Sequence, residues 1–421
     1  MPGLLWAVCV FVLSPALAGS PLRTLEAGSG PGAAGLLPIL IRPASSPGWE
    51  LPSHPAEAPG CRGSGGRESF LEFLKRRAEC TQSGIMSQLE ACDPLKVTDL
   101  RSFWIVNCVT CRATPQVARQ IAGREDVQYV RLRAPLACAL PVPEARCARG
   151  ASVAWGVEHI GAPEVWRMGY DGSGVIVSVI DTGVSYLHLD LCSHMWHDTD
   201  AGFHYGWDFC DNDADPMDEN GHGTHVAGTV ASNGAAGSSC GVAPGATIMA
   251  LRVDVSVGPD AEQTIWDAFQ FSLEHGARVI SLSLGYTQLM NPQRSEWREA
   301  EENILAAGVV SAVSAGSEGG DPGSWGDIRT PGDCPPPWLH PDQTTSGGLS
   351  SVVTVGTTDA NDYLASFSSL GYSTWMYDPP WYDYPDTPPD IGLTDPDVCA
   401  PGISTLSCDY ENTSGYVIMS G

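Results

Sequence analysis

The stretch Val175-Ile176-Val177-Ser178-Val179-Ile180-Asp181-Thr182-Gly183 joins an apolar run of strand length to an acid, a hydroxyl and a glycine. A run of β-branched residues with almost no polar alternation reads as a strand covered on both faces. The same signal returns at 248–253, 279–284 and 309–314. Helical segments separate these runs: one opens at Gly223, one covers 261–274 and one ends near Ala307. Strands alternating with helices predict an α/β fold, a parallel sheet with helices on both faces. Ligand sites in such folds form at the carboxyl ends of the strands, where Asp181 sits. On its own the tripeptide Asp181-Thr182-Gly183 reads equally as a turn-capping acid, and aspartic proteases use the same three residues.

The second informative string is Asn220-Gly221-His222-Gly223-Thr224-His225-Val226-Ala227-Gly228-Thr229-Val230-Ala231. Its glycines allow close backbone approach, and its small residues suit tight helix packing. Two histidines three apart suggest zinc, but the HExxH arrangement needs i, i+4 spacing and a glutamate base. A histidine at a helix start near a strand-end acid is instead the base and orienter of a nucleophilic triad. His225 is assigned a packing role.

These strings resemble the subtilisin-like serine proteases, whose triad runs Asp, His, Ser along the chain. The resemblance continues through Ser281-Leu282-Ser283-Leu284-Gly285, Ser314-Ala315-Gly316-Ser317-Glu318-Gly319 and Ala400-Pro401-Gly402, and it covers about residues 155–421. It implies that Asp181 orients His222, that His222 is the general base, and that Ser283, Leu284 and Gly285 line the primary specificity pocket. Two departures stand out. Ser317 occupies the place of the family's oxyanion-binding asparagine. The family's nucleophile follows a Gly-Thr-Ser-Met-Ala pattern, whereas here Met419-Ser420-Gly421 stops short of that serine. The chain is therefore expected to be a fragment, and Ser420 is expected to point away from the site.

Net charge is -27, from 22 Lys plus Arg against 49 Asp plus Glu. That excess argues against nucleic acid as a partner. Residues 1–150 carry +4 and 151–421 carry -31. Either two units attract one another, or the larger one has an acidic surface suited to salty surroundings. Residues 1–18 read as a secretory signal: an apolar 4–13, then Ala16-Leu17-Ala18. No run is long enough for a membrane anchor, so the protein is expected to be secreted. Thirteen cysteines remain after Cys9, and export predicts disulfides among them.

Residues 19–66, rich in Gly, Pro, Ala and Ser, read as a leader or linker. From 67 to 135 the pattern is α+β of the split-βαβ, ferredoxin-like kind: a helix at 69–77, a strand at 100–111, a short helix bracketed by Thr114-Pro115 and Gly123, and a strand at 126–132. Leu100-Arg101-Ser102-Phe103-Trp104-Ile105-Val106-Asn107 and 113–130 resemble the family's propeptide, which implies an intramolecular inhibitor, with a maturation site in the linker 136–154. Residues 373–397 read as an inserted surface loop.

No cofactor is expected for catalysis, and the substrates implied are polypeptides. Calcium is expected as a structural ion. Asp190 matches a family ligand, and the run Asp208, Asp211, Asp213, Asp215, Asp218 offers oxygens to a hard cation, although a solvated acidic loop explains it equally well. Two rival readings are a catalytically dead peptide-binding relative and a zinc hydrolase built on His222 and His225.

Overall fold

The computed structural model describes residues 35–45, 66–147, 153–319, 327–339, 347–388 and 390–421. The expected signal at 1–18 lies outside them. The first element is β1 (Leu37–Pro43). It is followed by α1 (Gly66–Glu90), β2 (Val97–Phe103), β3 (Cys108–Ala113), α2 (Pro115–Ala122) and β4 (Val127–Leu132). The four strands form an antiparallel sheet in the order β2-β3-β1-β4. This is the expected βαββαβ unit, with two corrections. The linker assigned to 19–66 contains a central strand of the sheet, and the strand read at 100–111 is a hairpin that turns at 104–107. β1 escapes notice because Pro38 and Pro43 flank its apolar centre, and proline argues against a paired strand. α2 starts as read, with Thr114 capping the Val117 N–H and Gly123 ending it.

The second unit begins after β5 (Ala145–Cys147), α3 (Trp155–His159) and α4 (Ala162–Arg167). Next come β6 (Ile176–Asp181), the small hairpin of β7 (His197–Asp198) and β8 (Phe203–His204), β9 (Gly206–Asp208), α5 (His222–Ala231), β10 (Thr247–Arg252) and α6 (Ala261–Glu274). β11 (Val279–Leu282), α7 (Arg294–Ala306), β12 (Val310–Ser314) and β13 (Val352–Thr358) follow, then β14 (Gly371–Ser373), β15 (Leu393–Asp395), β16 (Val398–Pro401), β17 (Thr405–Cys408) and β18 (Tyr416–Met419). Seven strands make one parallel sheet, ordered β16-β13-β12-β11-β6-β10-β9.

Both faces of that sheet are covered. Val177 and Val179 of β6 pack with Ala227 and Ala231 of α5. Ile180 joins Trp266 and Phe269 of α6 and Trp297 of α7. Ser178, the polar interruption in the apolar run, is buried and hydrogen-bonds Ser272 of α6 through its hydroxyl at 2.6 Å.

The apolar core runs without a break from one unit to the other. Leu40, Phe70, Leu74, Phe103, Ile105 and Val106 share a cluster with Trp266, Phe269 and Trp297. Phe103 meets Trp266 edge to face at 5.6 Å. Around this seam the cations come from the first unit and the anions from the second: Lys75–Glu274, Arg77–Glu299, Arg101–Asp267 and Arg133–Asp260, at 2.7–3.0 Å. These pairs accord with attraction between the units. Backbone N–H groups of Trp104 and Ile105 both donate to Gln270 Oε1, and Asn303 donates to the Ile105 carbonyl at 2.7 Å.

The structure refines two further expectations. The segment 373–397, expected as a surface loop, exposes Tyr377 and Tyr382 but buries Trp375 and Tyr384, and Trp375 stacks under the guanidinium groups of Arg294 and Arg298. The linker 136–154 contributes β5, which pairs with β18. Among the described residues the cysteines are free thiols, and Cys108, Cys111, Cys334 and Cys408 are buried as small apolar groups.

Glu299 takes Arg42 and Arg77 on its two carboxylate oxygens, and it is itself only 6% exposed. Replacing it by Ala leaves two largely buried guanidinium groups unmatched, a loss of ~3–5 kcal/mol. Denaturant unfolding of Glu299→Ala should show that loss, and Glu299→Gln, which keeps an acceptor oxygen for only one of the two arginines, should also destabilise.

Candidate active site

Asp181 is the last residue of β6, so its side chain stands at the carboxyl edge of the sheet, where it is fully buried. His222 is the first residue of α5 and is 4% exposed. Its Nδ1 lies 2.7 Å from Asp181 Oδ1, which also accepts the Thr182 N–H at 2.8 Å. Asp181 Oδ2 is buried without a partner.

Three devices bring the helix start to the strand end. Gly223 has no Cβ because one would lie 2.1 Å from the Gly183 carbonyl and 3.0 Å from Asp181 Cβ. Gly221 turns the chain with φ +105°. Asp218 satisfies the free N–H groups of the first turn: Oδ1 accepts from Asn220 and Gly221, Oδ2 from the Thr224 N–H and hydroxyl. Thr182 closes the ring, donating to Asp218 Oδ1 and accepting the Gly223 N–H, each at 2.9 Å. The positioning role of Asp218 and Thr182 was not read from the sequence. An Asp three residues before a left-handed glycine at a helix start was the available signal.

Burial alone lowers the pKa of His222. The charge of Asp181, its hydrogen bond and the more distant Asp218 act the other way, and the net shift is upward from 6.5. His225, deeper in the same helix, is pushed down to about 4 by burial, and its Nε2 lies 3.0 Å from the Thr405 carbonyl oxygen. It is neutral at physiological pH and packs as expected.

The remaining site residues cluster by topology. β6, β11 and β12 are neighbours in the sheet. Ser283, Leu284 and Gly285 follow the end of β11 and Ser317 follows the end of β12, so all lie at the same edge as Asp181. Leu284 and Gly285 are buried, whereas Ser317 is exposed, its N–H bonded to Glu318 Oε2 at 2.9 Å. Ser420 is turned elsewhere: its hydroxyl accepts the Ser404 N–H at 2.8 Å and bonds Glu144.

The segment after β4 runs along this edge. Leu136 exchanges both backbone hydrogen bonds with Gly258, at 2.9 and 3.0 Å. The Cys138 thiol lies against Tyr286 and the Gly285 backbone, the Ala139 carbonyl accepts from Arg329 Nη1 at 3.4 Å, and the Glu144 N–H donates to Ile418.

Asp190, expected as a calcium ligand, is met here by protein donors. Its carboxylate is fully buried and accepts from Ser232 Oγ at 2.7 Å, Tyr416 OH at 2.9 Å and the Ala236 N–H at 2.5 Å. The metal-capable groups beside it are His188 and Cys408, nitrogen and sulfur rather than the oxygens calcium takes. In the acidic run Asp208 is held by Arg252, Asp215 accepts from Tyr186, and Asp218 caps α5.

A profile described as the subtilase family matches residues 172–421. The chain belongs to the subtilase family. Its similarity to the minor extracellular protease Vpr of Bacillus subtilis (strain 168) is 37% identity over 224 residues, 49% of this chain and 26% of that protein. The thermophilic serine proteinase of Bacillus sp. (strain AK1) is 33% identical over 273 residues, 63% of this chain and 53% of that protein. Thermitase of Thermoactinomyces vulgaris is 33% identical over 232 residues, 53% of this chain and 71% of that protein. The chain thus spans about a quarter and about half the length of the first two relatives. Its parallel sheet is the subtilase fold.

Two outcomes test this account of the site. In NMR titration, His222 should have a midpoint above 6.5, and Asp181→Asn should bring it below 6.5, because the attraction is removed and the burial remains. Asp190→Ala should lower the melting temperature equally in calcium and in excess chelator, because the loss is that of three protein hydrogen bonds.

Proposed function

We propose that this chain is the precursor portion of a secreted serine endopeptidase that hydrolyses peptide bonds in polypeptide substrates. The observation that carries the reading is the buried Asp181–His222 pair at 2.7 Å on a subtilase sheet. With Nδ1–H given to Asp181, the Nε2 lone pair of His222 is free to take a proton from a serine hydroxyl and return it to the leaving amine. Asp181 keeps the tautomer and stabilises the imidazolium. In the family that serine belongs to a Gly-Thr-Ser-Met-Ala pattern, whose first residue Gly421 matches. No cofactor takes part in these steps. Secretion accords with the sequence of 1–18 and with the extracellular relative named above; among the described residues no helix is long and apolar enough to cross a membrane.

On the same reading the βαββαβ unit, with the expected bounds 67–135 extended to include β1, is an inhibitory propeptide, and 136–154 holds the maturation site. Support comes from the shared core, from the cross-unit ion pairs, and from the way 136–144 follows the site edge past Gly258, Gly285 and Arg329. Ser317 favours the second reading, an inactive relative that binds peptides, because its hydroxyl is shorter than an amide and its loop position is exposed.

The gene product continued past Gly421 should hydrolyse a peptide substrate with a rate that rises with pH through a midpoint above 6.5, as His222 becomes neutral. His222→Ala should reduce the rate by several orders of magnitude, the effect of triad removal in subtilisin being ~10⁶. Residues 35–135 added in trans should inhibit the mature enzyme, associating more slowly at high salt. No hydrolysis from a folded, extended protein would favour the inactive reading.

A further inference from the structure

Arg329 lies between the two backbone segments that frame the candidate specificity pocket. A Cβ on Gly285 would stand 2.9 Å from Arg329 Cβ, and one on Gly316 would stand 2.9 Å from Arg329 Cγ and 2.6 Å from Glu318 Oε2. The arginine stem therefore fills the space between the end of β11 and the loop after β12. Its backbone is tied to both sides. The Arg329 N–H donates to Ala315, and the neighbouring Thr330 exchanges hydrogen bonds with Tyr286, all at 2.9 Å.

The guanidinium group is pinned. Nε donates to both oxygens of Glu318 at 3.0 Å, and Nη2 donates to Oε1 at 2.5 Å. Glu318 is fixed in turn by the Ser317 N–H at 2.9 Å and the Ser369 hydroxyl at 3.1 Å. Arg329 is only 6% exposed. Swinging it aside would break a two-point charged hydrogen bond, so it behaves as a wall rather than as a movable arm. Its charge is already matched by Glu318, which leaves bulk as its main effect on whatever enters.

Resting on the protease reading, we propose that Arg329 is a specificity-determining residue that restricts the pocket beside Ser283, Leu284 and Gly285 to small side chains. The segment lying there agrees, since Ala137, Cys138 and Ala139 are all small and the Ala139 carbonyl takes the remaining Nη1 contact at 3.4 Å.

The test uses the full-length gene product and peptides Leu-Ala-Ala-X carrying a chromogenic amide after X, with X as Ala, Phe or Glu, read as kcat/KM. The wild-type protein should prefer Ala to Phe by ~10-fold or more, the scale on which a pocket discriminates size. Arg329→Gly should raise the Phe to Ala ratio by at least ~10-fold, and Arg329→Met, which retains bulk without charge, should leave that ratio near the wild-type value. A wild-type preference for Phe overturns the inference whether or not the variants fold. An unchanged ratio in Arg329→Gly overturns it too, as does a preference for Glu that disappears in Arg329→Met, which would make charge the selector. Hydrolysis of none of the peptides by the wild-type protein would overturn the protease reading itself.

Discussion

The contact between the first turn of α5 and the carboxyl end of β6 is the constraint on which the rest of the site depends. Gly223 stands so close to Gly183 and Asp181 that any side chain would force the helix away. That closeness lets a 2.7 Å hydrogen bond form between residues 41 positions apart. It also buries an acid, which burial by itself disfavours. The apposed histidine, the Thr182 N–H and the ring of bonds through Asp218 offset the cost. Asp181 retains one buried oxygen without a partner.

The site edge and the inter-unit seam lie on different parts of one framework. α6 and α7 present Trp266, Phe269 and Trp297 to the sheet core, and the same core extends to Phe103 and Ile105 of the first unit. Glu299, Asp260 and Asp267 surround it with negative charge that meets arginines from that unit. The acidic excess of residues 151–421 is therefore used at particular places: at this seam, at Arg252 by the Asp208 loop, and in the cap of α5. Carboxylates in these positions are occupied by protein donors.

The N-terminal unit and the parallel-sheet unit are further joined by the segment that runs past Gly258, Gly285 and Arg329 to β5, which pairs with β18. A stretch read as linker is thus held by backbone hydrogen bonds along the edge that carries Asp181. Cys138 and Ala139 of this stretch meet Tyr286, Gly285 and Arg329, contacts that its composition did not suggest.

What the sequence determined by itself was what depends on local pattern. The β-branched runs announced the parallel strands, Asp181 fell at a strand end, the glycine-rich string around His222 announced a close helix start, and Thr114 and Gly123 bounded a helix. Each follows from periodicity or backbone freedom over a few residues. Tertiary structure alone decided the matters that depend on which distant groups meet. A proline-flanked run at 37–43 became a central strand because two partner strands lie on either side of it. Trp375 left the surface because Arg294 and Arg298 offered it guanidinium faces, and Tyr384 because its hydroxyl donates to the Gly348 carbonyl in a buried place. Asp190 became a hydrogen-bond acceptor because Ser232, Ala236 and Tyr416 converge on it. Burial and pairing are properties of neighbours, and for these residues the neighbours are tens to hundreds of positions away along the chain.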